Sequence, residues 1–115
     1  MDSKGNFKKG SVEILALHIL LSGDCYGYEL SQLINEYSDG IIKIPEGTLY
    51  PALYRMEEQG FITEEKRQIG KRLTRVYYHI ESKGKKYLHD LLDEYHLTHK
   101  GIKMILSQSI KGKGD

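Results

Sequence analysis

Five cations, Lys66, Arg67, Lys71, Arg72 and Arg75, fall within ten consecutive residues of a 115-residue chain whose formal net charge is only +1. Such a cluster can neutralise the phosphates of a nucleic-acid backbone, and the near-zero total means that this chemistry would rest on where the charges lie. Glu64 and Glu65 border the cluster and weaken its field. From charge alone, a solvated basic turn accounts for the pattern just as well.

The other reactive side chains form no catalytic set. His96 and His99 stand at i, i+3 with His89 two turns earlier, but a single helix supplies only part of a tetrahedral ligand set and no cysteine has matching spacing. Solvated or interface histidines are the expectation, with no metal site and no cofactor. Cys25 is the only cysteine, so it has no internal disulfide partner. A helix start near it would favour the thiolate and a redox role; without a resolving thiol, a small packed side chain is expected instead. There is no glycine-rich phosphate loop, no nucleophile elbow and no carboxylate pair placed for acid/base work, which argues against an enzyme. No leader pattern opens the sequence, and the longest apolar run, Ile14 to Leu21, is broken by His18 and well short of the roughly 18 residues of a membrane span. A reduced, cytoplasmic setting follows as the expectation.

The elements that must hold the basic cluster can be read from periodicity. A hydrophobic fraction of 39% with 29% charged residues suits one folded domain. Residues 1–9 are polar apart from Phe7 and read as a loose arm. Ser11 begins an apolar stretch that predicts a buried helix over about 10–22, and Ser22-Gly23-Asp24 breaks it. Tyr26, Leu30, Leu33, Ile34 and Tyr37 recur at helical spacing and predict a second helix. Ile41-Ile42-Lys43-Ile44, between Gly40 and Pro45, predicts one short strand. Pro51 belongs in a first helical turn, so a third helix should start at 47–49; it buries Leu49, Ala52, Leu53 and Met56, turns Tyr50, Tyr54 and Arg55 outward, and ends at Gly60. Residues 61–68 and 73–80 read as a hairpin carrying the cations at its tip. Ser82 is placed to cap a long last helix, striped by Leu88, Leu91, Leu92, Tyr95, Ile102, Ile105 and Leu106 and weakened at His99 and Gly101; residues 111–115 read as a disordered tail.

This order is mainly α with a small β-hairpin, an α+β winged helix-turn-helix extended by a C-terminal helix. The boundaries are 1–9 arm, 10–81 winged helix-turn-helix, 82–110 dimerisation helix and 111–115 tail. On a chain this small the apolar stripe of the last helix would lie half-exposed, which points to a homodimer that helix 1 joins.

Tyr26-Gly27-Tyr28-Glu29-Leu30 and Gly47-Thr48-Leu49-Tyr50-Pro51-Ala52-Leu53 are the most specific stretches. With Lys9 to Leu15, Met56 to Ile62 and Tyr77 to Gly84, they resemble the PadR family of transcriptional regulators across nearly the whole chain. The resemblance implies a winged-helix homodimer, usually a repressor, that binds double-stranded operator DNA and releases it on an inducing signal. The single final helix is similar to the short subfamily. It places the recognition helix on Thr48, Tyr50, Pro51 and Arg55, and the wing on Lys71, Arg72 and Arg75, with Tyr28, Lys8 and Lys9 as auxiliary phosphate contacts. Tyr50 can instead pack under the wing. Some short members hold flat aromatic drugs against a tryptophan between subunits. This chain has no Trp, and Tyr95 stands in what looks like that position. Tyr95 with Phe7 or Ile14 is thus a site for a small aromatic inducer, or ordinary interface packing. Two further readings stay open: a winged-helix protein-interaction module, and a small-molecule-binding protein without operator function.

Overall fold

The apolar run after Ser11 folds as the inner half of α1, Lys9–Leu20, whose Val12, Ala16, Leu17 and Leu20 are all but inaccessible. Burial on several sides explains why its sequence shows so little amphipathic bias. In this computed structural model the described residues are 9–110, so residues 1–8 of the predicted arm, Phe7 and Lys8 among them, and the tail 111–115 lie outside them, while Lys9, expected in the arm, opens α1. After α1 come β1 (Cys25–Tyr26), α2 (Gly27–Tyr37), α3 (Glu46–Glu58), β2 (Ile62–Ile69), β3 (Leu73–Ile80) and α4 (Ser82–Leu106).

Four helices and a three-stranded antiparallel sheet make the α+β winged-helix architecture, with strand order β1-β3-β2. The hairpin pairs from Ile62 opposite Ile80 out to Ile69 opposite Leu73, and β1 adds Cys25 opposite Tyr78 and Tyr26 opposite Tyr77. Beneath it α1, α2 and α3 enclose one core of Leu17, Leu30, Leu49, Leu53, Met56 and Ile62. Gly60 ends the α3 turn at φ 80°, the left-handed conformation expected for it.

The structure corrects the sequence reading in three places. Residues Ile41 to Ile44 form no strand; the third strand is Cys25–Tyr26. Locally, the Ser38 hydroxyl accepts the Ile42 amide at 2.9 Å and donates to the Ile34 carbonyl at 2.9 Å, so the end of α2 takes up the donor a sheet would need. Ile44 is buried while Ile41 is exposed, which produces strand-like alternation without a ladder. Helix α3 starts at Glu46, with Pro45 as N-cap, so Pro51 lies beyond the first turn and cannot donate to the Gly47 carbonyl. Ser82 is the first residue of α4, and Glu81 occupies the cap.

α4 runs unbroken through His99 and Gly101 for 25 residues, about 37 Å at 1.5 Å per residue. Its first turns dock on α1: Leu88 is buried, and the Tyr87 hydroxyl donates to Glu13 Oε1 at 2.5 Å, pairing the buried carboxylate of α1. Beyond Leu92 the helix leaves the core. The Cα radius of gyration is 17.6 Å, against about 13 Å for a compact chain of this length, as expected when one helix and a hairpin project from the body.

Candidate nucleic-acid interface

On α3 the side facing the core carries Leu49, Ala52, Leu53 and Met56, all at 0% exposure, and this fixes what the opposite side must present. Glu46, Gly47, Pro51, Tyr54, Arg55 and Glu58 are exposed and recur about one turn apart, giving a continuous outer stripe. No side chain caps the helix start; the Thr48 and Leu49 amides donate to the Pro45 carbonyl at 2.9 Å, which leaves the Glu46 and Gly47 amides for an acceptor from outside the helix. Thr48, half-buried, stands beside them. Arg55 is exposed, and no carboxylate of the described residues lies within ion-pair distance of it.

Tyr50 departs from the outward placement expected of it. Its ring is half-buried against α2, where a methyl at Gly27 would overlap the Tyr50 hydroxyl. Burial raises its phenol above the ordinary tyrosine range, helped by the charge of Glu46. The glycine of the Tyr26-Gly27-Tyr28 stretch thus exists for a close approach between α2 and α3. Tyr54, 6.3 Å from the Tyr50 ring and 54% exposed, is the aromatic residue on the outer stripe. Its i+3 spacing from Pro51 was the available signal for adding it to the site. Tyr28 is exposed at the start of α2, its hydroxyl accepting from Gln32 Nε2 at 2.9 Å.

The hairpin brings the basic cluster together unevenly. Lys71 and Arg72 lie at the tip and are exposed. Arg67 and Arg75 sit directly opposite one another on the outer sheet face. The Arg75 guanidinium covers the Tyr26 ring at 4.3 Å, and Arg67 covers Tyr77 at the same distance. Arg67 also donates to Glu65 and to Asp24, both at 2.6 Å, and His79 Nδ1 meets the other Asp24 oxygen at 2.7 Å. The hydrogen bond from His79, then that from Arg67, hold the Asp24 carboxyl below its ordinary range against the desolvation that opposes them.

The remaining expected residues fall elsewhere. Gly10, Ser11 and Ile14 of α1 face Leu91, Glu94, Tyr95, Thr98, His99 and Ile102 of α4 across an open groove of about 410 Å³. Tyr95 and Ile14 are therefore brought together; Phe7 lies outside the described residues. Tyr95 stacks on His99 at 5.8 Å and meets His96 edge-on at 5.3 Å. Along the apolar stripe expected to pair two copies, Leu91 and Leu92 are half-buried while Tyr95, Ile102, Ile105 and Leu106 are exposed; Leu88, in contrast, is enclosed by its own chain and has no surface to offer a partner. Cys25 is buried, and desolvation pushes its thiol up to about 11, opposite to the thiolate a nearby helix start would favour. No group of three or more metal-ligating side chains occurs among the described residues.

The sequence profile of the PadR-like family of transcriptional regulators matches residues 16–90, from α1 into α4. The chain belongs to that family. A transcriptional regulator from Clostridium thermocellum is 38% identical and superposes with a TM-score of 0.78 over 84% of this chain and 93% of its own. A PadR family transcription regulator from Clostridium difficile gives 31% identity and a TM-score of 0.71 over 84% and 98%. A transcriptional regulator of Mycobacterium tuberculosis is 31% identical over 71 residues, 62% of this chain and 64% of that protein. As a PadR-like chain this is a transcriptional regulator and not an enzyme. No helix among its described residues is long and apolar enough to cross a membrane.

Proposed function

We propose that this PadR-like protein is a repressor that binds a pseudo-palindromic operator as a homodimer and is released by a small aromatic inducer. The observation that carries the reading is the outer stripe of α3, rigidly backed by buried Leu49, Leu53 and Met56 and flanked by the exposed cations of the hairpin. A helix held this way presents Pro51, Tyr54 and Arg55 to base edges in a major groove, while Thr48 and the uncapped amides meet a phosphate. Lys71, Arg72 and Arg75 reach the backbone on one side, with Tyr28 and the arm residues Lys8 and Lys9 as further backbone contacts. Tyr50 supports this face from beneath, packed against Gly27 of α2.

Residues 10–81 supply this surface and residues 82–110 the pairing. Half of α4 stands clear of the core with Tyr95, Ile102, Ile105 and Leu106 uncovered, and a second copy would cover them. A twofold pair then sets two α3 helices about one duplex turn apart. The same pairing would close the groove that holds Ile14 and Tyr95, making it a place for a flat aromatic molecule.

Selection of bound sequences from random duplex DNA, followed by binding isotherms at several salt concentrations, tests the reading. A recovered inverted repeat and a log affinity that falls by about 0.9 per log unit of salt for each phosphate neutralised are expected. Arg55→Ala should cost about 1–3 kcal/mol on the selected operator and relax preference at one base position. Unaltered affinity and preference would remove Arg55 from the interface.

A further inference from the structure

The hairpin has a mechanical weakness. Its inner half is held by β1, which pairs with β3 only at Tyr77 and Tyr78. Two pairs further out, Arg67 and Arg75 stand directly opposite each other, where like charges push two strands apart. Beyond them the two strands have only each other, and an isolated two-stranded ribbon is marginal in water. The Lys71 and Arg72 tip is therefore the part of the interface with the least support.

Asp24 lies at that weak step. It comes from the loop between α1 and β1, 43 residues from Arg67 and 55 from His79, yet it touches both. One carboxylate oxygen takes the Arg67 guanidinium at 2.6 Å and the other meets His79 Nδ1 at 2.7 Å, so a single side chain fastens β2 and β3 to the helical body. Arg67 is turned inward onto the Tyr77 ring by this pairing and by Glu65, and its charge is met by two carboxylates. Arg75, by contrast, rests on Tyr26 with no carboxylate of the described residues within ion-pair distance.

We propose that Asp24 is a positioning residue for DNA binding: it holds the outer half of the hairpin at a fixed angle to α3, with Arg67 as its anchor and not as a phosphate contact. The inference rests on the hairpin acting as a backbone-contacting wing. Within the basic cluster it separates Arg75, Lys71 and Arg72, which face the nucleic acid, from Arg67, which faces the protein.

The sign of one substitution tests it. Asp24→Ala removes a negative charge from a DNA-binding surface and frees Arg67, so electrostatics alone makes the variant bind duplex DNA more tightly. Loss of positioning makes it bind about tenfold more weakly, and lowers the salt slope by up to about 1.8 per protomer as Lys71 and Arg72 lose their phosphates. The probes are a duplex recovered by selection and a random-sequence duplex. Arg67→Ala should reproduce the loss, and the double variant should be no worse than either alone. Equal or tighter binding by Asp24→Ala, or additive losses, would overturn the proposal. Hydrogen exchange on the free protein gives an independent reading: amides of the Lys66–Val76 ladder should open faster in Asp24→Ala and in the milder His79→Ala, with those of α1 and α3 unchanged. If the wild-type protein binds neither duplex, the operator reading fails, and the exchange data alone decide the tie; unaltered ladder protection then sinks it.

Discussion

At the scale of single residues, the buried polar atoms decide most. Glu13 is 2% exposed inside α1, and a carboxylate there persists because the Tyr87 hydroxyl, 74 residues away, donates to it. Tyr87→Phe leaves that acceptor unmatched and should cost about 1–3 kcal/mol, read as a lower urea midpoint at constant m-value. An unchanged midpoint would mean that the carboxylate finds another partner. Cys25 gives a test by titration. With its folded-state thiol at about 11 against an ordinary 9.0, it stabilises the fold fully below the ordinary value, and that contribution fades as pH rises through the folded one. Thiol reagents should thus react slowly at pH 8 with folded protein and rapidly once it is unfolded. Fast labelling of the native state would contradict the buried placement.

At the scale of elements, close approaches and ties set the angles between parts that are individually ordinary. At Gly84, in the first turn of α4, a methyl group would overlap the carbonyl of Phe61, while Phe61 stacks on Tyr87 at 4.0 Å just beyond. Gly84→Ala must push α4 away from the hairpin base and should destabilise by about 1–3 kcal/mol despite the better helix propensity of alanine. A melting temperature at or above that of the parent would show that the junction yields. Surface ion pairs such as Arg67–Asp24 are worth only about 0–1 kcal/mol each to global stability. Their importance lies in orientation, because the outer hairpin has so little else to hold it.

For the molecule as a whole, the distinguishing feature is how much apolar surface the outer half of α4 leaves uncovered. Ile102 is 48% exposed and borders the same groove as Ile14 and Tyr95, on a helix that continues past the core to Leu106. Ile102→Asp would place an unpaired charge in the proposed interface and should yield a folded monomer in sedimentation, with duplex affinity falling alongside. A variant that still sediments as a dimer would move the interface elsewhere. Leu92→Asp is less diagnostic, because Leu92 also packs on the chain's own core.

Much of this was legible in the chain itself, because local periodicity is written in neighbouring residues. The inner sides of α1 and α3, the hairpin between 61 and 80, the long last helix and the left-handed Gly60 follow from spacing and from what glycine and proline permit, and the family from two short motifs. Several of the misread places depend on a partner remote in sequence, whereas the Pro45 and Glu81 caps and the Ser38 bond to Ile42 are local. Ile41 to Ile44 alternates like a strand, but Ser38 captures its amide and Cys25–Tyr26 takes the sheet edge. Leu88 belongs to the stripe of α4 yet lies enclosed in the monomer core. Tyr50 turns under α2 because Gly27 leaves room for it, and Arg67 differs from its basic neighbours only because the fold brings Asp24 to it. Spacing along a chain fixes which residues share a face; which faces meet, and which charges find a counter-charge, is decided by tertiary packing.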